Sequence, residues 1–389
     1  MKRRQFLLES ARAAAGCCAL PLAACSPREP SRGATATGTT LQPLFAHLEK
    51  QIPTWLEHAN VPGLSMAVIE GAKLVWRGAF GFRDLVSQAL VDHDTVFEAG
   101  SVSKTVFAYA VMKLRDKGVI DLDAPLTKYM PEPFLDGDPR LDLITARHVL
   151  SHTTGFQNWR SRQEALTIHF TPGARFGYSG EGYHYLQSVM TRLAGRTDAA
   201  DCATFEDGLQ ACATDFDAYM KAQLLVPFGM TSSGYVWIDA YDTRMARGHR
   251  LDGKQLDRKA TARDAARYGA AGGLHTTASD YSRFLIEVVA PAEEDSFRLS
   301  DASRLEMIKP QVKVTGSMSW ALGWQVQHKA SGDVLSHGGD NPGFKALTAA
   351  SIEKKSGFVI LTNSDRGFDV IRRIVSTAGM QEFLPVALE

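Results

Sequence analysis

Residues 97–120 read FEAGSVSKTVFAYAVMKLRDKGVI. Val106, Ala110, Val111 and Leu114 recur at the steps that line one buried face of a helix. Glu98-Ala-Gly100 breaks the chain directly before that helix, so Ser101-Val-Ser-Lys104 falls where a loop enters it. A serine hydroxyl is a weak nucleophile until a neighbour takes its proton, and the i to i+3 spacing sets Lys104 beside Ser101. In a first turn the unpaired backbone N–H groups also favour a developing oxyanion. Alone, S-x-x-K is a weak signal, because about one chance match is expected in a chain of this size. Ser351-Ile-Glu-Lys354 is such a match, at a strand end leading into the turn Glu353-Lys-Lys-Ser-Gly357.

Upstream, Leu64–Ile69 and Leu74–Phe80 flank a turn at Gly71-Ala72 and read as a strand hairpin. Downstream, a short helix is expected over Thr145–His152 with Thr145 as N-cap, and others over Tyr183–Leu193, Phe216–Leu225 and Ser279–Val289. Gly323–Gln327, Gly343–Ala349 and Gly357–Thr362 read as meander strands, followed by a helix from Val370. Strands, then helices, then strands and a helix describe an α+β fold. Its antiparallel sheet is completed by both chain ends and flanked by helices, with a helical lobe inserted at about 106–270. The 18 residues Thr197–Thr214 read as a surface insertion in the lobe.

Two further stretches are rich in chemistry. Pro172-Gly-Ala-Arg-Phe-Gly-Tyr-Ser-Gly-Glu-Gly182 makes a tight exposed loop, in which Tyr178 is either a proton-shuttling phenol or a half-buried aromatic. Ser336-His337-Gly338-Gly339-Asp340-Asn-Pro-Gly343 lies between expected strands, where the glycines allow a backbone N–H to approach a ligand closely or simply form a hairpin turn.

The chain of 389 residues has 43 Lys+Arg against 43 Asp+Glu and is 44% hydrophobic, enough for a sizeable core. Balanced charge argues against nucleic acid as a partner, since phosphate binding needs clustered cations. Residues 1–24, MKRRQFLLESARAAAGCCALPLAA, run from positive to apolar to small residues, as an export signal does. Arg3-Arg4-Gln5-Phe6-Leu7 resembles the twin-arginine pattern. Leu22-Ala23-Ala24-Cys25 resembles a bacterial lipobox, with Cys25 lipidated as the only link to a membrane; an ordinary cleaved signal is the alternative. The apolar stretch Ala13–Ala24 is shorter than the roughly 20 residues of a spanning helix. The expected location is the periplasm or, for a lipoprotein, a membrane surface. Polar residues 25–40 read as a flexible tether, and folded structure is expected over 41–389. Outside the signal only Cys202 and Cys212 remain, an even count that suggests a peripheral disulfide.

Taken together, Ser101-x-x-Lys104, Tyr178 in its PG…YSG loop and His337-Gly-Gly339 resemble the ordered set of the serine β-lactamase superfamily. The branch most alike holds class C enzymes, family VIII carboxylesterases and D-amino-acid peptidases. Supporting stretches include His148-Val-Leu-Ser-His-Thr-Thr-Gly155, Pro227-Phe-Gly-Met230 and Leu361-Thr-Asn-Ser-Asp365. The resemblance implies a β-lactamase/transpeptidase-like fold and acyl transfer through Ser101, with Lys104 and Tyr178 handling the proton. It also implies substrate contacts at His337, Gly338 and Gly339, an oxyanion hole from the backbone N–H groups of Ser101 and Asp340, and no metal or organic cofactor. The implied substrate is a small ester, amide or β-lactam, and the resemblance makes residues 240–270 the long loop that borders the substrate cleft.

Two departures narrow this. Tyr-x-Asn of class C enzymes is Tyr178-Ser-Gly180 here, and His337-Gly-Gly stands in place of Lys-Thr-Gly, whose lysine would be a fixed cation for a substrate carboxylate. Both favour an esterase or a D-residue peptidase over a β-lactamase or penicillin-binding protein. Glu181 is a candidate polar contact in place of the lost amide. Gly177-Tyr-Ser-Gly-Glu181 misses the α/β-hydrolase elbow, and His148-Val-Leu-Ser-His152 lacks the glutamate of a zinc protease. A cell-wall-binding lipoprotein without turnover is the rival from another class.

Overall fold

A computed structural model describes residues 41–161, 163–194, 206–291 and 297–387. The expected signal, Cys25, the tether and Cys202 lie outside the described residues; Cys212 is buried. Helix α1 (Gln42–Ala59) buries Leu44, Phe45, Leu48, Ile52 and Leu56 at helical spacing. The expected hairpin follows as β1 (Gly63–Glu70) and β2 (Lys73–Asp84), edged by β3 (Ala89–Leu90). Next, β4 (Phe97–Glu98) leaves this sheet and pairs with β5 (His275–Thr276).

Between β4 and β5 runs the helical lobe. It comprises α2 (Ser103–Asp116), α3 (Ala146–Leu150), α4 (Gly180–Leu193), α5 (Glu206–Met220), α6 (Tyr241–Arg244) and α7 (Ala262–Gly272). After β5 come α8 (Ala278–Val289) and α9 (Asp301–Ile308), then the edge strands β6 (Val312–Lys313), β7 (Met318–Trp320) and β8 (Gln325–Gln327). The long strands β9 (Val334–Asn341), β10 (Phe344–Ser351) and β11 (Ser356–Thr362) follow, then α10 (Gly367–Val375) and α11 (Ala378–Phe383). One nine-stranded antiparallel sheet results, in the order β3-β2-β1-β11-β10-β9-β8-β7-β6. The N-terminal hairpin joins the C-terminal strands where β1 pairs with β11, Leu64 opposite Thr362.

Its central strands do not alternate apolar with polar, because both faces are covered. Met66, Val68, Phe358 and Ile360 pack with α1, α10 and α11, whereas Ala67, Ile69, Val359 and Leu361 face the lobe side and α8. Twelve consecutive residues of α2, Ser103 to Leu114, are buried, so this helix runs through the lobe core with no solvent face.

Four expectations are corrected. Ser336–Asn341 is part of β9 rather than a loop, held in register against β10 from Leu335↔Ala350 to Asn341↔Phe344. The second half of the expected insertion, from Glu206, is helix continuous with the segment containing Phe216, because Ala213, Phe216 and Met220 bury one face. Residues 240–270 are not one long loop. They contain α6 and most of α7, which opens with a capping box between Thr261 and Asp264. Ser101 precedes the α-helix in a 3-10 turn, Gly100–Val102.

Candidate active site

The 3-10 turn matters for chemistry, because three residues per turn eclipse i and i+3. Lys104 Nζ lies 3.0 Å from Ser101 Oγ and donates to the Ala271 carbonyl of α7 at 2.6 Å. The lysine is 1% exposed and no carboxylate among the described residues pairs with it, so burial pushes its amine down from 10.5 to about 7. A neutral amine fits this setting, since one N–H can serve Ala271 while the lone pair faces the serine hydroxyl.

Tyr178 sits on the loop before α4, whose N-cap is Ser179, and its phenol is in hydrogen-bond reach of Ser101. Burial raises the phenol above its ordinary range, and the serine contact opposes this only in part. The pair thus divides its work: Lys104 can be deprotonated near neutrality, and Tyr178 stays protonated. His152 stacks on the Tyr178 ring at 4.1 Å, in the left-handed backbone region, and its Nδ1 accepts the Ser179 N–H. Trp320 of β7 closes the far side with its edge, 5.8 Å from the Tyr178 ring. Neither His152 nor Trp320 stood out in the sequence. His148–Gly155 counts in the sequence as a supporting stretch of the resemblance and as a failed zinc motif, with no role for His152 itself, and nothing local marks Trp320.

Tyr178→Phe keeps the ring and its stack and removes only the hydroxyl. The expected result is a loss of roughly a hundredfold in kcat/KM with an unchanged melting temperature, read by ester hydrolysis and thermal unfolding.

His337 lies on β9 with its ring 6.3 Å from that of Tyr178. Burial, aided by the Lys104 charge, pushes its imidazole down to about 3, so it is neutral in the working range. Its Nδ1 meets the Gly338 carbonyl at 2.7 Å, which makes Nδ1 the N–H donor and leaves Nε2 a buried acceptor. The residue is not a cation here. Lys345 of β10 does not supply one either, since Asp340 and Asp365 bind it at 2.8 and 3.0 Å.

The Asp340 amide is placed by strand register. The Pro342-Gly343 turn closes on Asn341↔Phe344, and the Lys345 carbonyl faces Thr362 of β11. Asp340↔Lys345 is therefore a non-hydrogen-bonded pair, and the Asp340 N–H points away from β10. Pairing with β8 stops at Ser336, so the 3-10 turn packs against the rest of that edge. A Cβ on Gly100 would come within 2.7 Å of the Asp340 nitrogen. The amides of Ser101 and Asp340 thus belong to two backbone segments in contact.

Gly339 serves that contact. A Cβ on it would fall 2.1 Å from the Ala99 carbonyl oxygen, whereas one on Gly338 meets open space. Gly339→Ala is expected to force the strand from the turn, costing about 2–4 kcal/mol in urea unfolding and most of the activity; Gly338→Ala is the mild control.

Ser101 opens into a cleft of about 410 Å³ lined by Trp159, Arg258, Tyr268, Asp340 and Asn341, among others. Glu181 does not reach it. Its carboxylate is fully buried between Arg160 and Arg267, which correct its expected role as a substrate contact. Burial alone would raise it, but His184 and Arg160 outweigh that and hold it below the usual carboxylate range. No group of acidic, His or Cys side chains able to hold a metal occurs among the described residues.

A family model described as Beta-lactamase matches residues 45–378. The chain belongs to the beta-lactamase family. It is a serine hydrolase of that family and has the β-lactamase/transpeptidase-like fold. A penicillin-binding protein of Bacillus subtilis (strain 168) is 23% identical over 363 residues, 85% of this chain and 74% of its own length. Esterase EstB of Burkholderia gladioli is 32% identical over 127 residues, 32% of each chain. The structure of a class C beta-lactamase mutant superposes with a TM-score of 0.73 at 18% identity, covering 90% of this chain and all of that one (100%).

Proposed function

We propose that this family member hydrolyses esters or amides through a Ser101 acyl-enzyme, as a carboxylesterase or a peptidase of D-residue substrates, after export. The observation that carries the reading is the Ser101–Lys104–Tyr178 set, with a buried lysine held at about 7 by burial. Neutral Lys104 takes the hydroxyl proton as Ser101 Oγ attacks the carbonyl carbon, and the amides of Ser101 and Asp340 receive the oxyanion. Protonated Tyr178 hands a proton to the leaving oxygen or nitrogen as its bond to carbon breaks, and is reprotonated from Lys104. Water then attacks the acyl carbon, losing its proton to neutral Lys104; the bond from that carbon to Ser101 Oγ breaks, and the proton passes from Lys104 to the serine oxygen, which restores the free enzyme.

The ester or D-peptide preference rests on the lack of a fixed cation at residue 337. His337 is neutral, and of the side chains lining the cleft only Arg258 is a strong base, lying 4.0 Å from Asp264. A β-lactam carboxylate would instead meet Asp340 at the cleft wall. Residues 1–24 as export signal and Cys25 as lipid attachment belong to this proposal, as does the Cys202–Cys212 disulfide; among the described residues no helix is long and apolar enough to cross a membrane. The test is hydrolysis of p-nitrophenyl butyrate by residues 26–389 beside Ser101→Ala.

A further inference from the structure

Gly180, which stands where class C enzymes carry the asparagine of Tyr-x-Asn, is not an empty space. A Cβ there would lie 2.2 Å from the indole of Trp159. The indole occupies the volume that a residue-180 side chain would fill, and it lines the cleft leading from Ser101. Its placement is built in. The Asn158 carbonyl accepts from the N–H groups of Gly180 and Glu181, both at 3.0 Å, and the Arg160 N–H donates to Glu181 at 3.1 Å. Both neighbours of Trp159 are thus tied to the start of α4. From the opposite wall, Arg267 pairs with the same Glu181 carboxylate at 3.1 Å. Next to it, Tyr268 meets the indole edge-on at 5.0 Å.

Tyr178 and His337 do not line this cleft, whereas Ser101 does. With the proton donor for the leaving group on the Tyr178 side, the Trp159 side receives the acyl group. We propose that Trp159 and Tyr268 form an aromatic acyl pocket that selects apolar, above all aryl-bearing, acyl groups over amide-bearing ones, with Glu181 as the positioning residue beneath it. This rests on the Ser101 reading above. An aryl ring against the indole gains area and edge-to-face contact. A substrate amide finds no side chain at position 180, and the Asn341 amide donors are taken by Glu98 and the Gly272 carbonyl.

The experiment compares kcat/KM for p-nitrophenyl phenylacetate and p-nitrophenyl N-acetylglycinate, each corrected for spontaneous hydrolysis. The ratio within one preparation does not depend on the fraction folded. Wild type should favour phenylacetate by about tenfold or more. Trp159→Ala should bring the ratio near one, Trp159→Phe should keep most of it, and Glu181→Gln should lower it several-fold from a position no substrate touches. A wild-type ratio at or below one, or a ratio unmoved in Trp159→Ala, overturns the acyl pocket while Ser101-dependent turnover stands. Turnover of neither ester, or turnover that survives Ser101→Ala, sinks the serine-hydrolase reading and the pocket with it.

Discussion

Ser101→Ala is expected to abolish hydrolysis of p-nitrophenyl butyrate, lowering kcat by at least about ten-thousand-fold. The geometry leaves no substitute nucleophile in place. Lys104 is buried behind the serine with its nitrogen already on the Ala271 carbonyl, and Ser103, next in the helix, spends its hydroxyl on the Gly100 carbonyl. The fold should be unaffected, because the Ser101 side chain lies at the cleft wall and Val102 and Ser103 carry the packing beneath it. Mass spectrometry of wild-type protein quenched during turnover should find the acyl group on the peptide containing Ser101. A stable penicilloyl adduct at that serine with no ester turnover would favour a penicillin-binding protein. Neither adduct nor turnover would favour the wall-binding lipoprotein. Turnover surviving in the variant would show that the nucleophile is elsewhere.

Lys104→Met should lower kcat/KM by between a hundred and roughly ten thousandfold, the range expected when a positioned base is lost. Wild-type activity requires the neutral amine, so kcat/KM should rise with pH through an inflection near 7, where burial holds the lysine. The variant's residual activity should lack that inflection. The substitution should raise stability even as it lowers activity. Between about 7 and 10.5 the unfolded chain binds a proton that folded Lys104 does not, so the cost of burying this amine is fully present below pH 7 and fades towards pH 10.5. Methionine removes that cost, about 4–5 kcal/mol at its largest. Leaving the Ala271 carbonyl without its donor takes back about 1–3 kcal/mol. Urea unfolding should therefore find Lys104→Met more stable than wild type at pH 6, with the gap closing by pH 10. A variant less stable than wild type at both pH values would mean that the lysine is not the strained base described here.

The periodic signals transferred directly from sequence to structure. Spacing of Val106 to Leu114 marked a buried helix, Gly71-Ala72 marked a hairpin, and Thr145 caps its helix by accepting from the His148 N–H. These rest on local hydrogen bonds and on the period of side chains along one element, both written in neighbouring residues. The Ser101–Lys104 pairing is of the same kind, since a single turn joins the two. Tyr178 and the His337 strand were legible only as members of an ordered set. Their meeting depends on the β9 register and on the loop that enters α4, contacts across more than a hundred residues of chain.

The sequence by itself determined the fold class, the pairing of Ser101 with Lys104 one turn on, and the lack of a lysine at residue 337. Tertiary structure alone decided the surroundings of those residues. Burial pushes the Lys104 amine down to about 7, and desolvation pushes the Tyr178 phenol up, the division of base and acid on which the proposed mechanism draws. Ser336–Asn341 reads as a loop for its glycines, yet it is strand because β10 pairs with it along its length. Glu181 reads as a contact for substrate, yet Arg160 and Arg267 enclose it and turn it into the support of an aromatic wall. Each of these outcomes follows from desolvation and from partners distant along the chain, and neither quantity is a property of any local stretch of residues.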